Sequence, residues 1–306
     1  LNISKNNKNY FFTADLGLSS SEVEINELDY IKKLNVDANL IIDGVYRQNK
    51  EIFFKTINYL EGNTKILIEN IELGKNDKIK NLDLFQIDIE SASGIRNQLE
   101  FKKVNDNYYL TGTQFDGTEN IKNLLSNNSK SIFSNFKNLN SYIYLDIGKY
   151  YINKSSFLSK TNGEIQIKNS KVLNANISAK LNENRKFQLN VITNKRKEKI
   201  TNLHVEKPEP FIKNFKFIKG FNEGELFYES VEFEGKSISN LKIKNFKVKE
   251  VPVLAKLLTL ASLQGIADLL TGEGIRFSDF EMDYQKLGNT TNINELYAIG
   301  PAISLM

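Results

Sequence analysis

The chain has 306 residues, 40% of them hydrophobic and 25% charged, which is enough apolar content to bury a core and argues against a wholly disordered chain. Its 41 basic and 37 acidic residues leave a formal charge of +4, too small and too interspersed for a duplex nucleic-acid binder. No Cys and a single His remove disulfides, thiol nucleophiles and iron–sulfur ligation, and they argue against a zinc centre, which needs three or four N or S ligands.

The sequence opens on Leu1, and no basic-then-apolar leader precedes Asn2 to Tyr10. No signal peptide or anchor is therefore expected in it, and it reads as a segment of a longer chain. Alternation of apolar and polar residues then dominates, the mark of strands with one buried face. It is undecided at Ile52, Phe53 and Phe54, where both faces are apolar. It is clear at Thr64, Ile66 and Ile68, and again at Leu82, Leu84, Ile87 and Ile89. Gly112 to Thr118, GTQFDGT, has the outer spacing of a phosphate loop but lacks its Lys, so a hairpin turn is expected there.

Between Thr118 and Asn138 the apolar residues Ile121, Leu124, Leu125, Ile132, Phe133 and Phe136 fall at helical spacing. Two short helices are expected, forming a seam (118–138) between an N-terminal β section (1–117) and a C-terminal one (139–306). Alternation resumes at Ile143, Leu145 and Ile147, at Ile165 and Ile167, at Ile177, Ala179 and Leu181, and at Phe187, Leu189 and Val191. Lys195 to Lys199 then reads as a solvated hairpin tip, or alternatively as a contact for anionic headgroups. Leu226, Tyr228, Val231, Phe233, Leu241, Ile243, Phe246 and Val248 complete a meander of antiparallel hairpins, with Glu223-Gly224 and Glu234-Gly235 expected as turns.

Pro252 to Leu270 differs. Leu254, Leu257, Leu258, Ala261, Ile266, Leu269 and Leu270 make a broad stripe, Pro252 suits a first helical turn, and Gly272 suits a stop. Lys256, Ser262, Gln264 and Asp268 argue against a membrane span, so this helix is expected to cap the sheet or to touch lipid. Roughly eighteen strands are too many for one flat sheet, which must curl into a sandwich, a barrel or an open half-pipe. Nothing in the sequence nominates catalytic residues. His204, between Leu203 and Val205, has no nucleophile motif near it, and no pair among the 37 acids is selected by spacing.

The segment VPVLAKLLTLASLQGIADLLTGEGIRFSDFEMDY, residues 251–284, followed by GPAISL at 300–305, resembles the AsmA-like envelope proteins, most closely their YhdP-type branch. The matching positions are Pro252, Ala261 to Leu263, Gly265, Leu269, Leu270, Gly272, Gly274, Ile275, Phe277, Gly300 and Pro301. Ile218 to Leu226 and Phe246 to Pro252 resemble the family's approach to this helix. The Asp-Ala-Gly step frequent in members is replaced by His204 to Pro208.

The resemblance implies a mainly β fold: an elongated, strongly curved antiparallel sheet in the bacterial periplasm, held to the inner membrane by a helix N-terminal to this region. It further implies an apolar groove that carries phospholipids toward outer-membrane components, with no catalysis, cofactor or metal. Such a groove addresses a real barrier, since exposing about 30 methylenes of a diacyl lipid to water opposes transfer by roughly 24 kcal/mol. Ile143, Leu145, Ile165, Ile167, Ile177, Phe187, Leu189 and Val191 are the expected lining. The rival expectation is a structural envelope protein in which the same sheet has a filled core.

Overall fold

A computed structural model describes residues 1–47, 50–119, 132–182, 184–212, 219–250, 274–288, 290–301 and 304–305. The chain is mainly β and divides into two compact units, Leu1–Val172 and Leu173–Met306. The expected helix over 252–270, with all seven of its stripe residues, lies outside the described residues.

In the first unit the strands are β1 (Asn2–Asn6), β2 (Asn9–Gly17), β3 (Val23–Ile25), β4 (Tyr30–Lys32), β5 (Asn39–Tyr46), β6 (Ile52–Glu61), β7 (Thr64–Leu73), β8 (Ile79–Asn81), β9 (Leu84–Glu90), β10 (Arg96–Val104), β11 (Asn107–Asp116), β12 (Ser141–Asn153) and β13 (Ser156–Lys168). Antiparallel pairing runs β1–β2–β5–β6–β7–β9–β10–β11, with β8 on the end of β7. β12 then joins β11 in parallel and β13 folds back on β12, so the sheet is mixed rather than wholly antiparallel. The spacing allows the parallel step: 24 residues separate β11 from β12, enough for the long connection that a parallel neighbour requires.

GTQFDGT is not a hairpin. Gly112 to Asp116 continue β11, and both glycines serve close approach. A Cβ at Gly112 would lie 2.3 Å from the Gln98 carbonyl oxygen, and one at Gly117 would lie 2.1 Å from the Tyr150 ring. At Thr113 the register against β10 slips by one residue, forming a β-bulge. The disturbance passes along the sheet through Gly148, whose Cβ would meet the Thr113 carbonyl oxygen at 2.5 Å, to Lys160 with φ +51°. On β12, Ile143, Leu145 and Ile147 carry the buried face before this line, and Tyr150 and Ile152 carry it after. Parity changes while the face is kept.

Two segments pack on that face. The β3–β4 hairpin, with the 3-10 turn Asn26–Leu28, sets Ile25, Leu28 and Tyr30 against Tyr59, Ile66, Ile87 and Ile89. Lys32 is fully buried and its ammonium donates to the carbonyls of Leu18 (2.6 Å), Ser21 (2.6 Å) and Lys33 (3.1 Å), as a buried charge must. The Tyr30 and Tyr59 hydroxyls meet at 2.9 Å beside Glu61, whose carboxyl burial holds above its usual range. The other cover comes from the described part of the expected seam, whose residues 120–131, with Ile121, Leu124 and Leu125, lie outside the described residues. Thr118 and Glu119 are helical and Ile132–Asn135 forms a 3-10 turn, after which Phe133, Phe136 and Leu139 pack on Tyr108, Ile143 and Ile167.

In the second unit the strands are β14 (Lys171–Leu181), β15 (Arg185–Thr193), β16 (Lys199–Glu206), β17 (Lys219–Phe233), β18 (Lys236–Glu250), β19 (Ile275–Leu287), β20 (Thr290–Ile299) and β21 (Ser304–Leu305). Each pairs antiparallel with the next. Glu234-Gly235 is a hairpin turn as expected, with φ +51° and +78°. Glu223-Gly224 is not: it sits inside β17 with φ +64° and +87°, facing Asn245 at φ +52° in β18. These left-handed residues switch inward parity, so Phe221, Phe246 and Phe277 stack on the same face as Leu226 and Ile243, with ring centroids 5.3 and 5.1 Å apart. The opposite face is polar, centred on Glu281. Burial would raise its carboxyl, but hydrogen bonds from Lys242 (2.7 Å), Tyr297 and Asn240 (2.7 Å) outweigh that and bring it down to about 2.

Two measurements check this account. Gly224→Ala is expected to lower unfolding free energy by about 1–3 kcal/mol in urea titration, because φ +87° strains any L side chain, whereas Gly17→Ala, with open space around it, stays within about 0.5 kcal/mol. Because the Glu281 carboxyl lies below its usual 4.5, its contribution is complete above that pH and is lost as pH falls toward about 2. Melting temperature should therefore drop across that window in the wild type and drop less in Glu281→Gln.

Candidate functional site

Register, more than composition, builds the site. In the first unit Ile42, Ile57, Ile68, Phe85, Phe101 and Leu110 stand opposite one another on β5, β6, β7, β9, β10 and β11, and Leu145 extends the row onto β12. All seven are half-buried. At about 4.8 Å between strands the row spans on the order of 30 Å along the sheet. The neighbouring row, with Tyr59, Ile66, Ile87 and Ile147, is buried, the first three of these beneath the β3–β4 hairpin. Toward the other strand ends, Tyr108, Ile143 and Ile167 are buried beneath Phe133, Phe136 and Leu139. The middle row therefore keeps access to solvent while both flanks are filled.

The second unit repeats the arrangement. Ile177, Leu189, Leu203, Tyr228, Leu241 and Met282 run in register across β14 to β19, each half-buried. Beside them Ala179, Phe187, Val205, Leu226 and Ile243 form a buried row. The short helix Glu209–Ile212 covers its near end, with the Phe211 ring stacked on Phe187 at 5.9 Å. On the other side Ser230 and Ser239 share a hydrogen bond of 2.9 Å, and burial, with Tyr228 alongside, pushes the Tyr284 hydroxyl up to about 12.

The eight expected lining residues all lie on these inner faces, but not equivalently. Ile143 pairs with Ile165 across β12 and β13, and Ile177 pairs with Leu189 across β14 and β15. Leu145, Ile165, Ile177 and Leu189 are half-buried. Ile143 and Ile167 are 1% and 2% exposed, and Phe187 and Val191 are 9% exposed each, so these four serve the core. Sequence reasoning did not nominate Ile42, Ile57, Phe85, Phe101, Leu110, Leu203 or Met282. Their period-two context was visible, but which strand lies opposite which was not.

The chemistry of the rows is narrow. The first carries no polar side chain and the second only the Tyr228 hydroxyl, so both offer dispersion and desolvation alone. His204 lies on the polar face, its Nε2 2.6 Å from Glu225 Oε1 and its ring stacked 4.7 Å from Phe227. Among the described residues, no group of three or more His, Asp or Glu could hold a metal ion, and no helix is long and apolar enough to cross a membrane.

The difference between filled flank and accessible row is measurable. Ile143→Ala should cost about 3 kcal/mol of unfolding free energy, whereas the half-buried Leu145→Ala should cost about 1 kcal/mol, both read by chemical denaturation. The chain matches no family model, no curated protein and no solved structure.

Proposed function

We propose that the chain holds phospholipid acyl chains along its in-register apolar rows and passes them on without chemistry, as the periplasmic part of a lipid-transfer protein of the bacterial envelope. One observation carries this reading: the central row of each unit keeps partial access to solvent although the rows beside it are filled. A solvent-accessible stripe of Ile, Leu and Phe that crosses seven strands is costly to leave in water, and an acyl chain relieves that cost at about 0.8 kcal/mol per methylene. The resemblance of residues 251–284 to the AsmA-like proteins supports the same reading. It adds attachment to the inner membrane and delivery toward outer-membrane components. The rows work by burial alone, with no catalytic side chain, cofactor or metal.

A second reading draws on the two covers. Tyr30 with its hairpin, and Phe133 with Phe136, fill part of the inner face as a structural envelope protein would fill all of it.

The absence of cysteine allows a clean test. Leu203→Cys should react readily with a maleimide, and phospholipid dispersions should slow that reaction several-fold, while Ile143→Cys stays unreactive in the folded chain. Labelling of Leu203→Cys at an unchanged rate with lipid present would sink the transfer reading and leave the filled-core one.

A further inference from the structure

The polar face of the second unit is not polar everywhere. At the end of β15 to β19 where the Asn194–Glu198 and Glu234-Gly235 turns lie, Ile192, Ile200, Val231 and Ile238 stand side by side on four neighbouring strands. They lie on the face opposite to Leu203 and Leu241. One step closer to the tips, Phe233 and Leu287 flank Lys236. Ile238 is 54% and Leu287 63% exposed, and Ile192, Val231 and Phe233 beside them are exposed too. Nothing within the described residues covers them.

The turns beside this patch are net positive. The β15–β16 turn presents Lys195, Arg196 and Lys197, all exposed. Its one acid is occupied: Asn194 donates its side-chain amide to Glu198 Oε2 at 2.7 Å and accepts the backbone N–H groups of Arg196 and Glu198 at 2.9 and 3.1 Å. That lattice fixes the turn with its three cations outward. Lys199 pairs with Glu232 at 2.9 Å, and Lys236 and Lys286 lie at the neighbouring tips with Glu234 as the remaining acid. By strand alternation Lys199, Glu232 and Lys286 belong to the other face, which leaves Lys195, Arg196, Lys197 and Lys236 against Glu198 and Glu234 at the tips, with Glu229 and Asp283 farther along the strands on the patch face.

We infer that this end of the second unit docks peripherally on an anionic phospholipid bilayer. Ile238, Leu287, Phe233 and Val231 enter the headgroup boundary, while Lys195, Arg196 and Lys197 meet lipid phosphates. Charge complementarity selects this occupant: a second copy of the chain would bring its own net positive tip against this one, whereas an anionic bilayer supplies both the apolar layer and the opposite charge. The surface lies across the sheet from the half-buried row, so docking does not require that row to carry lipid.

The test is sedimentation of the full chain with vesicles of phosphatidylcholine, alone or mixed with phosphatidylglycerol. Binding is expected only to the mixed vesicles and should weaken as salt rises. Reversing Lys195, Arg196 and Lys197 to Glu should reduce it on the order of 100-fold, at about 5-fold or more per lost cation. The double variant Ile238→Ser with Leu287→Ser, which removes exposed side chains and leaves the melting temperature unchanged, should reduce it about 10-fold or more. Equal partitioning of the wild type onto both vesicle types, or wild-type binding by either variant, overturns the inference. So does a self-associated wild type that both variants dissolve into monomers without vesicle binding by any of them, because the occupant is then a second copy. Leu203→Cys protection by lipid is unchanged in the triple variant, so loss of that protection with vesicle binding intact counts against the transfer reading alone.

Discussion

Side chains on a strand repeat every two residues, and paired strands exchange hydrogen bonds only in register. Together these two facts decide which residues of this chain can share a surface. Ile57 lies beside Ile68, and Ile68 beside Phe85, because the backbone ladder admits no intermediate offset. A slip of one residue would send Leu203 to the polar face and His204 to the apolar one. Everything said of the inner face rests on that ladder staying in phase over many strands, and it stays in phase because its defects are shared. The bulge at Thr113 is matched at Gly148 and Lys160, and the left-handed pair Glu223-Gly224 is matched at Asn245. Each changes the parity of neighbouring strands together, so the apolar face survives the added twist.

The covers explain why such a face need not be uniform. The β3–β4 hairpin is anchored by a buried ammonium among three carbonyls and by hydroxyl contacts at Tyr30 and Tyr59. The Phe133–Leu139 segment is tied down by backbone bonds from Lys137 to Ile79 (2.7 Å) and from Ser170 to Leu139 (2.9 Å). Both segments account for the burial of Ile87 and Ile143. Burial therefore differs between adjacent rows of the same strands, although Ile68, Phe85, Phe101, Leu110 and Leu145 of the more accessible row still pack against those cores.

Much of the strand content was legible from alternation alone, including β7, β12, β14 and β15, because period two needs no partner to be recognised. The Lys195–Lys199 hairpin tip was legible for similarly local reasons. What escaped was non-local. Glycine-rich steps at Gly112 and Gly224 look like turns in one dimension, and only the proximity of Gln98 or Phe246 makes them strand positions. The parallel entry of β12 was hidden because a crossover and a hairpin leave the same alternation behind. Asparagine usage, which carries no obvious message as a composition, has a conformational use: nine of the eighteen non-glycine residues with positive φ among the described residues are Asn. Burial within one face could not be read either, since Ile143 and Leu145 are indistinguishable until Phe136 is placed above one of them.

The parallel pairing of β11 and β12 has a consequence for how the chain acquires this form. β12 meets β13 across a two-residue reversal at Lys154 and Ser155, a contact that forms on the microsecond scale of a short hairpin. Its other neighbour lies behind 24 intervening residues, so the loop-closure entropy must be overcome before any bond of that ladder is gained. The β12–β13 hairpin is thus assembled first and attaches to the earlier strands as a preformed piece. Until it does, β11 presents an unpaired edge, which is open to pairing with another chain.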